Sequence, residues 1–330
     1  MRRRVRVAVP VHPEWSPRIG WADLPSHVRA GVDHVLGSAV VEAVGQRGGF
    51  SPGTADRVLT AAGRRAFIKA VGPQPNRHSP EIHRREAAVS AGLPPGLPAP
   101  SLIGTYDDGE WVALVLSDVE GRHPRIPWRD AEIHLVLDAL QSIPRMQLPP
   151  ALQQLPALEI ELADPFSGWS RIRRHTPEDC DPWILENLEG LEQLAELGLK
   201  EVAGRSLVHT DVRADNILIT ESRGAILVDW PWAAVGSPWV DALTVLVNVC
   251  VFDPAFNADA VLQSHPVFRE ATAGRVDRVL SGLAAYFIDA GRQPPQPGLP
   301  TVRAFQRRQG DAVVRWLRNR LTASGPSVDC

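Results

Sequence analysis

The sequence predicts an α+β chain in two unequal parts, a small antiparallel sheet followed by a mainly helical remainder. Two observations carry this. Short apolar runs bounded by turn residues occupy positions 40–44, 55–59, 66–71 and 111–116. Beyond about residue 121, apolar residues recur at helical spacing. With 330 residues, 44% hydrophobic and 22% charged, the chain is long enough for two such parts with a core each.

Residues 1–37 read as a lead-in bearing proline and tryptophan, ending in a short helix around 25–36 that packs on the sheet. The sheet part spans 38–116. Its first two strands flank a glycine-rich stretch, 45–53, containing Gly49 and Ser51. Such a hairpin can fold over phosphates and offer backbone N–H groups, here from Gly49 and Ser51, although an ordinary turn explains it as well.

Only two lysines, Lys69 and Lys200, occur among 35 basic Lys and Arg residues. Lys69 sits in the apolar run 66–71, where a solvated lysine is unexpected. A compact ammonium suits a seat between two phosphates better than a planar guanidinium does, and an edge-strand lysine is the plainer alternative. Lys200 ends a helical pattern, where a cation balances the helix dipole. A helix opening at Ser79 and Pro80 follows, carrying Glu81 in its first turn and Glu86 two turns in. Glu86 is the better partner for Lys69, because the helix dipole alone accounts for Glu81. The strand 111–116 then leads into a crossing at 117–121, where the backbone of Ser117 and Val119 can meet the edge of a base.

Residues 122–330 carry helical patterns at 127–146, 183–199, 239–252, 276–290 and 302–321. In the second, Leu185, Leu188, Leu191 and Leu194 read as an apolar stripe. Inside this part lies the chemistry. His209, Asp211 and Asn216 follow one short apolar run and precede a hairpin whose second strand ends at Asp229. Asp211 can accept the proton of an attacking hydroxyl, while Asn216 and Asp229 can hold one metal ion against nucleotide phosphates. A polar turn between two strands would also use Asp and Asn in this way.

In their order, the glycine-rich hairpin, the lysine strand, the helix glutamate, the crossing, the His-x-Asp-x4-Asn loop and Asp229 resemble the aminoglycoside phosphotransferase family of small-molecule kinases. The matching motifs run from Gly45 to Asp241. The resemblance implies a two-lobed, protein-kinase-like fold and transfer from ATP or GTP to a substrate hydroxyl. By motif, Asp211 would be the catalytic base and Asn216 and Asp229 the Mg2+ ligands. Lys69 would bind the α- and β-phosphates, Glu86 would orient it, and Ser117 and Val119 would hold the base at the hinge 117–121. Asp241 looks like the family's structural aspartate bracing the catalytic loop, and His209 like its scaffold histidine. Arg213 stands where protein kinases carry a phosphate-contacting lysine. Thr210 replaces a frequent glycine and suggests local crowding. Trp230 and Pro231 replace Phe-Gly; proline fixes φ and removes an N–H, which disfavours a flipping switch.

A net charge of −3 gives no general affinity for nucleic acid or anionic membrane. Cys180, Cys250 and Cys330 are odd in number, far apart and without metal-ligand spacing, as in a reduced cytoplasmic chain. The basic start resembles an export signal, but Arg6 and Pro10 interrupt its apolar run. The longest apolar stretch, 242–252, is half the length a bilayer needs. Between Glu159 and Glu201 stand eleven acidic and four basic side chains. Such a wall suits a polycationic aminoglycoside or aminocyclitol, and a solvated helix face explains it too. Asp179 and Asp181, outside the helical pattern, are the best candidates to meet an amine. A metabolic kinase for an amino sugar, a choline-like alcohol or a nucleoside is the alternative, and a silent nucleotide-binding module the third. The sequence leaves the oligomeric state open.

Overall fold

The computed structural model describes residues 18–46, 53–143, 146–295 and 299–323. Five strands, β1 (Val40–Gly45), β2 (Thr54–Thr60), β3 (Arg65–Val71), β4 (Leu102–Asp107) and β5 (Val112–Ser117), form an antiparallel sheet ordered β1-β2-β3-β5-β4. The expected lead-in helix is α1 (Ser26–Leu36). It buries Val28, Val32 and Leu36 against Val58, Ile68, Ala70 and Val115 of the sheet. Contact is close: a Cβ on Gly31 would lie 2.1 Å from the Tyr106 ring, so any larger residue there would push the helix off β4. α2 (Ser79–Gly92) lies on the opposite face, between β3 and β4 in sequence.

Strand β4 is absent from the sequence reading. None of its residues is fully buried, and with Gly104, Thr105 and Asp107 among its six residues no apolar run marks it. Its register on β5 supplies the signal that its composition lacks, with Thr105 opposite Leu114 and Asp107 opposite Val112.

The remainder is mainly helical. α3 (Asp130–Ser142) leads to the short helices α4 (Leu158–Glu161), α5 (Ala163–Phe166) and α6 (Gly168–Arg174), and then to the long α7 (Pro182–Val202). Strands β6 (Ser206–Val208), β7 (Ile217–Ile219), β8 (Ala225–Leu227) and β9 (Ala234–Gly236) follow. α8 (Val240–Phe252), α9 (Ala258–Ser264), α10 (Ala273–Gly291) and α11 (Val302–Ala323) complete the part. A single apolar core runs through it, with Trp169 and Trp239 fully buried. Among the described residues, no helix is long and apolar enough to cross a membrane.

The leucine stripe on α7 needs correction. The buried face is Ile184, Leu191, Ala195, Gly198 and Val202, while Leu185 is 44% exposed. Steps of three residues fall about 60° short of a full turn, so a row from Leu185 to Leu194 drifts roughly half way round the helix. The apolar run 207–208 forms β6, which joins β9, while β7 and β8 make the expected hairpin.

Candidate active site

Strand alternation explains why a lysine sits in an apolar run. Ile68 and Ala70 point to α1, so Phe67 and Lys69 point to the other face, toward α2 and the helical part. Lys69 Nζ donates to Glu86 Oε2 at 2.5 Å and to Asp229 Oδ1 at 2.6 Å. Glu81, the competing partner, is solvent-exposed and faces Arg84 instead. Burial opposes the Lys69 charge, but Asp229 and Glu86 hold its pKa above the ordinary value. Burial pushes Glu86 up against the pull of Lys69. It would raise Asp229 too, yet the adjacent ammonium holds that carboxyl far below the usual range.

His83, one turn before Glu86, is buried, and this desolvation, with the Lys69 charge second, lowers its pKa to about 3. The native ring therefore stays neutral while the unfolded ring, near 6.5, takes a proton. With the folded value depressed, the stability this group supplies is complete above pH 6.5 and is lost progressively as pH falls toward 3. Unfolding titrations in urea should show His83→Gln losing less stability than the parent between pH 6.5 and 5, by up to about 1.4 kcal/mol per pH unit.

The catalytic-loop candidates cluster beside this trio. Between β6 and β7, the Asn216 side-chain amide donates to the Asp211 carbonyl at 2.9 Å and to its carboxylate Oδ2 at 3.0 Å. Its own Oδ1 is thereby left for another ligand. The Arg213 guanidinium donates to the other Asp211 oxygen and forks onto Asp215 with two 3.0 Å bonds. Burial raises the Asp211 pKa and Arg213 opposes it. Arg213 itself, though desolvated, is held charged by Asp211 and Asp215. Its donors grip carboxylates, which makes it a positioning residue for Asp211 in addition to any phosphate contact.

Thr210 and Asp229 both adopt left-handed backbone, with φ of 67° and 70°. For a β-branched residue this conformation costs free energy that a glycine at the Thr210 position would avoid. Three bonds hold it. Asp241 on α8 accepts from the N–H groups of His209 and Thr210 at 2.6 and 2.9 Å, and the Thr210 hydroxyl donates to the Trp232 carbonyl. Asp241→Ala would strand two buried or half-buried N–H groups. It should lower unfolding free energy by about 2–4 kcal/mol in urea melts, with Asp241→Asn recovering part. His209 is fully buried and its pKa is lowered by burial. It contacts the Val228 carbonyl through Nε2 and packs on Trp230, the arrangement of a scaffold residue.

Between the sheet and this loop lies a cleft of about 890 Å³, counting the open solvent at its entrance, lined by Lys69, Glu86, Asn216 and Asp229 and, at the crossing, by Ser117 and Val119. The Ser117 N–H is engaged by the Ser101 carbonyl at 2.8 Å, so Ser117 has its carbonyl to offer. Asp118, between them, is clamped by Arg57 and Arg65, which fastens the crossing to the sheet. Gly49 and Ser51 lie outside the described residues. Two residues in this region were not read from sequence, Arg18 and the buried Asp56. Asp56 could have been found as an acid inside an apolar strand, whereas one arginine in an arginine-rich lead-in stands out by nothing.

Asp181, one of the two candidates to meet an amine, already has partners within the chain. It caps α7 by accepting from the Trp183 N–H at 2.8 Å and pairs with Arg318 at 2.5 Å. Part of the acidic wall is likewise matched by arginine: Glu201 with Arg275 and Arg278, Glu192 with Arg173, and Asp164 with Arg171. Several of these arginines come from α10 and α11, distant in sequence, so a count over residues 159–201 could not include them.

The sequence profile of the phosphotransferase enzyme family matches residues 47–275. No curated protein matches the sequence. Among solved structures, the chain is similar to a thermostable mutant of aminoglycoside phosphotransferase APH(4)-Ia, with TM-score 0.57 and 15% identity over 91% of this chain and 100% of that one. It is similar to spectinomycin phosphotransferase APH(9)-Ia in complex with ADP and spectinomycin, with TM-score 0.52 and 12% identity over 86% and 95%. It also resembles choline kinase LicA from Streptococcus pneumoniae, with TM-score 0.51 and 14% identity over 89% and 98%. At these identities the likeness concerns the fold, which is the two-lobed kinase-like one.

Proposed function

Because the chain belongs to the phosphotransferase enzyme family, we propose that it moves the γ-phosphate of ATP or GTP to a hydroxyl of a small molecule. The observation that carries this reading is the 2.6 Å contact of Lys69 with Asp229, 160 residues apart, on the wall of a cleft that Asn216 also lines, with Asp211 hydrogen-bonded to Asn216. Lysine, base and metal-ligand candidates meet, which disfavours the silent nucleotide-binding module.

In the proposed reaction the acceptor oxygen attacks the γ-phosphorus in line. A new P–O bond forms, the bond to the departing nucleoside diphosphate breaks, and the hydroxyl proton passes to Asp211. Burial raises the basicity of Asp211, while Arg213 and Asn216 fix its orientation. Lys69, held by Glu86, takes the α- and β-phosphates, and the Ser117 carbonyl and Val119 backbone meet the base edge. The donor set fits Mg2+, a hard cation that accepts a carboxylate and an amide oxygen and draws its other ligands from phosphate and water. Held by Asn216 and Asp229, it would neutralise charge on the β- and γ-phosphates.

For the acceptor, the first class we assign is an aminoglycoside or related aminocyclitol, the substrates named for two of the structural relatives. The arginine pairing of the acidic wall favours a second reading. With part of that charge already balanced, an acceptor bearing one amine or none, such as a choline-like alcohol or an amino sugar, needs no polyanionic surface. A transfer assay with ATP and GTP over aminoglycosides, spectinomycin, choline, amino sugars and nucleosides decides between them by the mass of one added phosphoryl group. Thermal stabilisation by Mg-nucleotide with no acceptor raising phosphate release above the basal rate would defeat the enzymatic reading.

A further inference from the structure

Arg18 lies on the cleft wall with Lys69, Asp215 and Asp229, although it belongs to the segment ahead of α1. That segment packs on the sheet nearby, where Trp21 and Leu24 join the core that includes Val58 of β2. Asp229, Asp215, Asp56 and Glu86 all act on the Arg18 charge, yet among the described residues none forms an ion pair with it. Its Nε is buried without a hydrogen-bond partner, and burial lowers its pKa from the ordinary value. A desolvated guanidinium with unused donors is costly unless an anion joins it. Across the same cleft, Lys69 and Asp229 mark where the nucleotide's phosphates would lie under the reading above.

We propose that Arg18 is a second cationic ligand for the nucleotide phosphates, delivered across the cleft by the segment preceding the small sheet. This rests on the cleft being a nucleotide site. The division of labour follows from shape: Lys69 presents a point charge already shared with two carboxylates, whereas Arg18 presents a planar fork suited to two phosphate oxygens at once. The preferred ligand is then a nucleoside di- or triphosphate, with the unphosphorylated nucleoside indifferent to Arg18.

The test is equilibrium titration of full-length parent and Arg18→Ala protein with Mg-ATP and, separately, with adenosine. Arg18→Ala should weaken Mg-ATP about tenfold or more and leave adenosine within about twofold. Arg18→Gln, which keeps most of the bulk, repeats the comparison if alanine disturbs the fold, as read by the melting temperature. Equal Mg-ATP affinity in parent and variant overturns the proposal alone. So does tighter binding, which would make Arg18 a plug, and so does an equal loss for adenosine, which would make it a spacer. A parent protein that binds neither ligand, nor Mg-GTP in the same titration, overturns the nucleotide site itself.

Discussion

Asp211→Asn should reduce turnover by about 10²-fold or more, the scale of a lost general base, while leaving Mg-nucleotide affinity nearly unchanged. The geometry makes this substitution clean. Asparagine keeps the shape, an oxygen for the Asn216 amide or for Arg213, and the backbone carbonyl that Asn216 also holds. What it removes is the capacity to take a proton. Burial enhances that capacity in the parent by raising the Asp211 pKa, so an isosteric amide cannot replace it. The measurement is steady-state turnover with the best acceptor alongside nucleotide titration. Undiminished turnover would remove Asp211 from the role of base and return the loop to a structural turn.

The second large effect is expected at Asp229. Asp229→Ala should abolish metal-dependent nucleotide binding, raising the Mg-ATP dissociation constant by about 10²-fold, the order expected when a buried hydrogen-bonded charge loses its partner. The residual affinity should match that of the parent protein titrated without metal. The fold should survive. Lys69 retains Glu86 at 2.5 Å, and the Asp229 side chain is 36% exposed on the cleft side, so the deletion leaves no isolated buried charge. Isothermal titration with and without Mg2+ separates the two contributions. If the variant responds to Mg2+ as the parent does, Asp229 is a structural partner of Lys69 and the metal is held elsewhere.

Much of the fold was legible because its signals are local. The helices α3, α8, α10 and α11 lie close to the ranges their apolar spacing predicts, and β2, β3 and β5 lie in compact apolar runs. Where local pattern failed, the physical reason is visible. β4 earns its place by pairing with β5 and packing under α1, contributions that no window of six residues records. On α7, leucine spacing suggested one face and burial chose another, because α10 covers the side carrying Leu191, Ala195 and Gly198.

By itself the sequence determined which side chains are the candidates for chemistry and in what order, since the capacity to accept a proton or ligate a metal and a lysine in an apolar strand are properties of residue type and short spacing. Tertiary structure alone decided which of them meet. It joined Lys69 to Asp229 across 160 residues, paired Asp181 and Glu201 with distant arginines, and brought Arg18 into the cleft. Electrostatic energy depends on separation in space and on access to water, and neither quantity can be read from the distance between two residues along a chain.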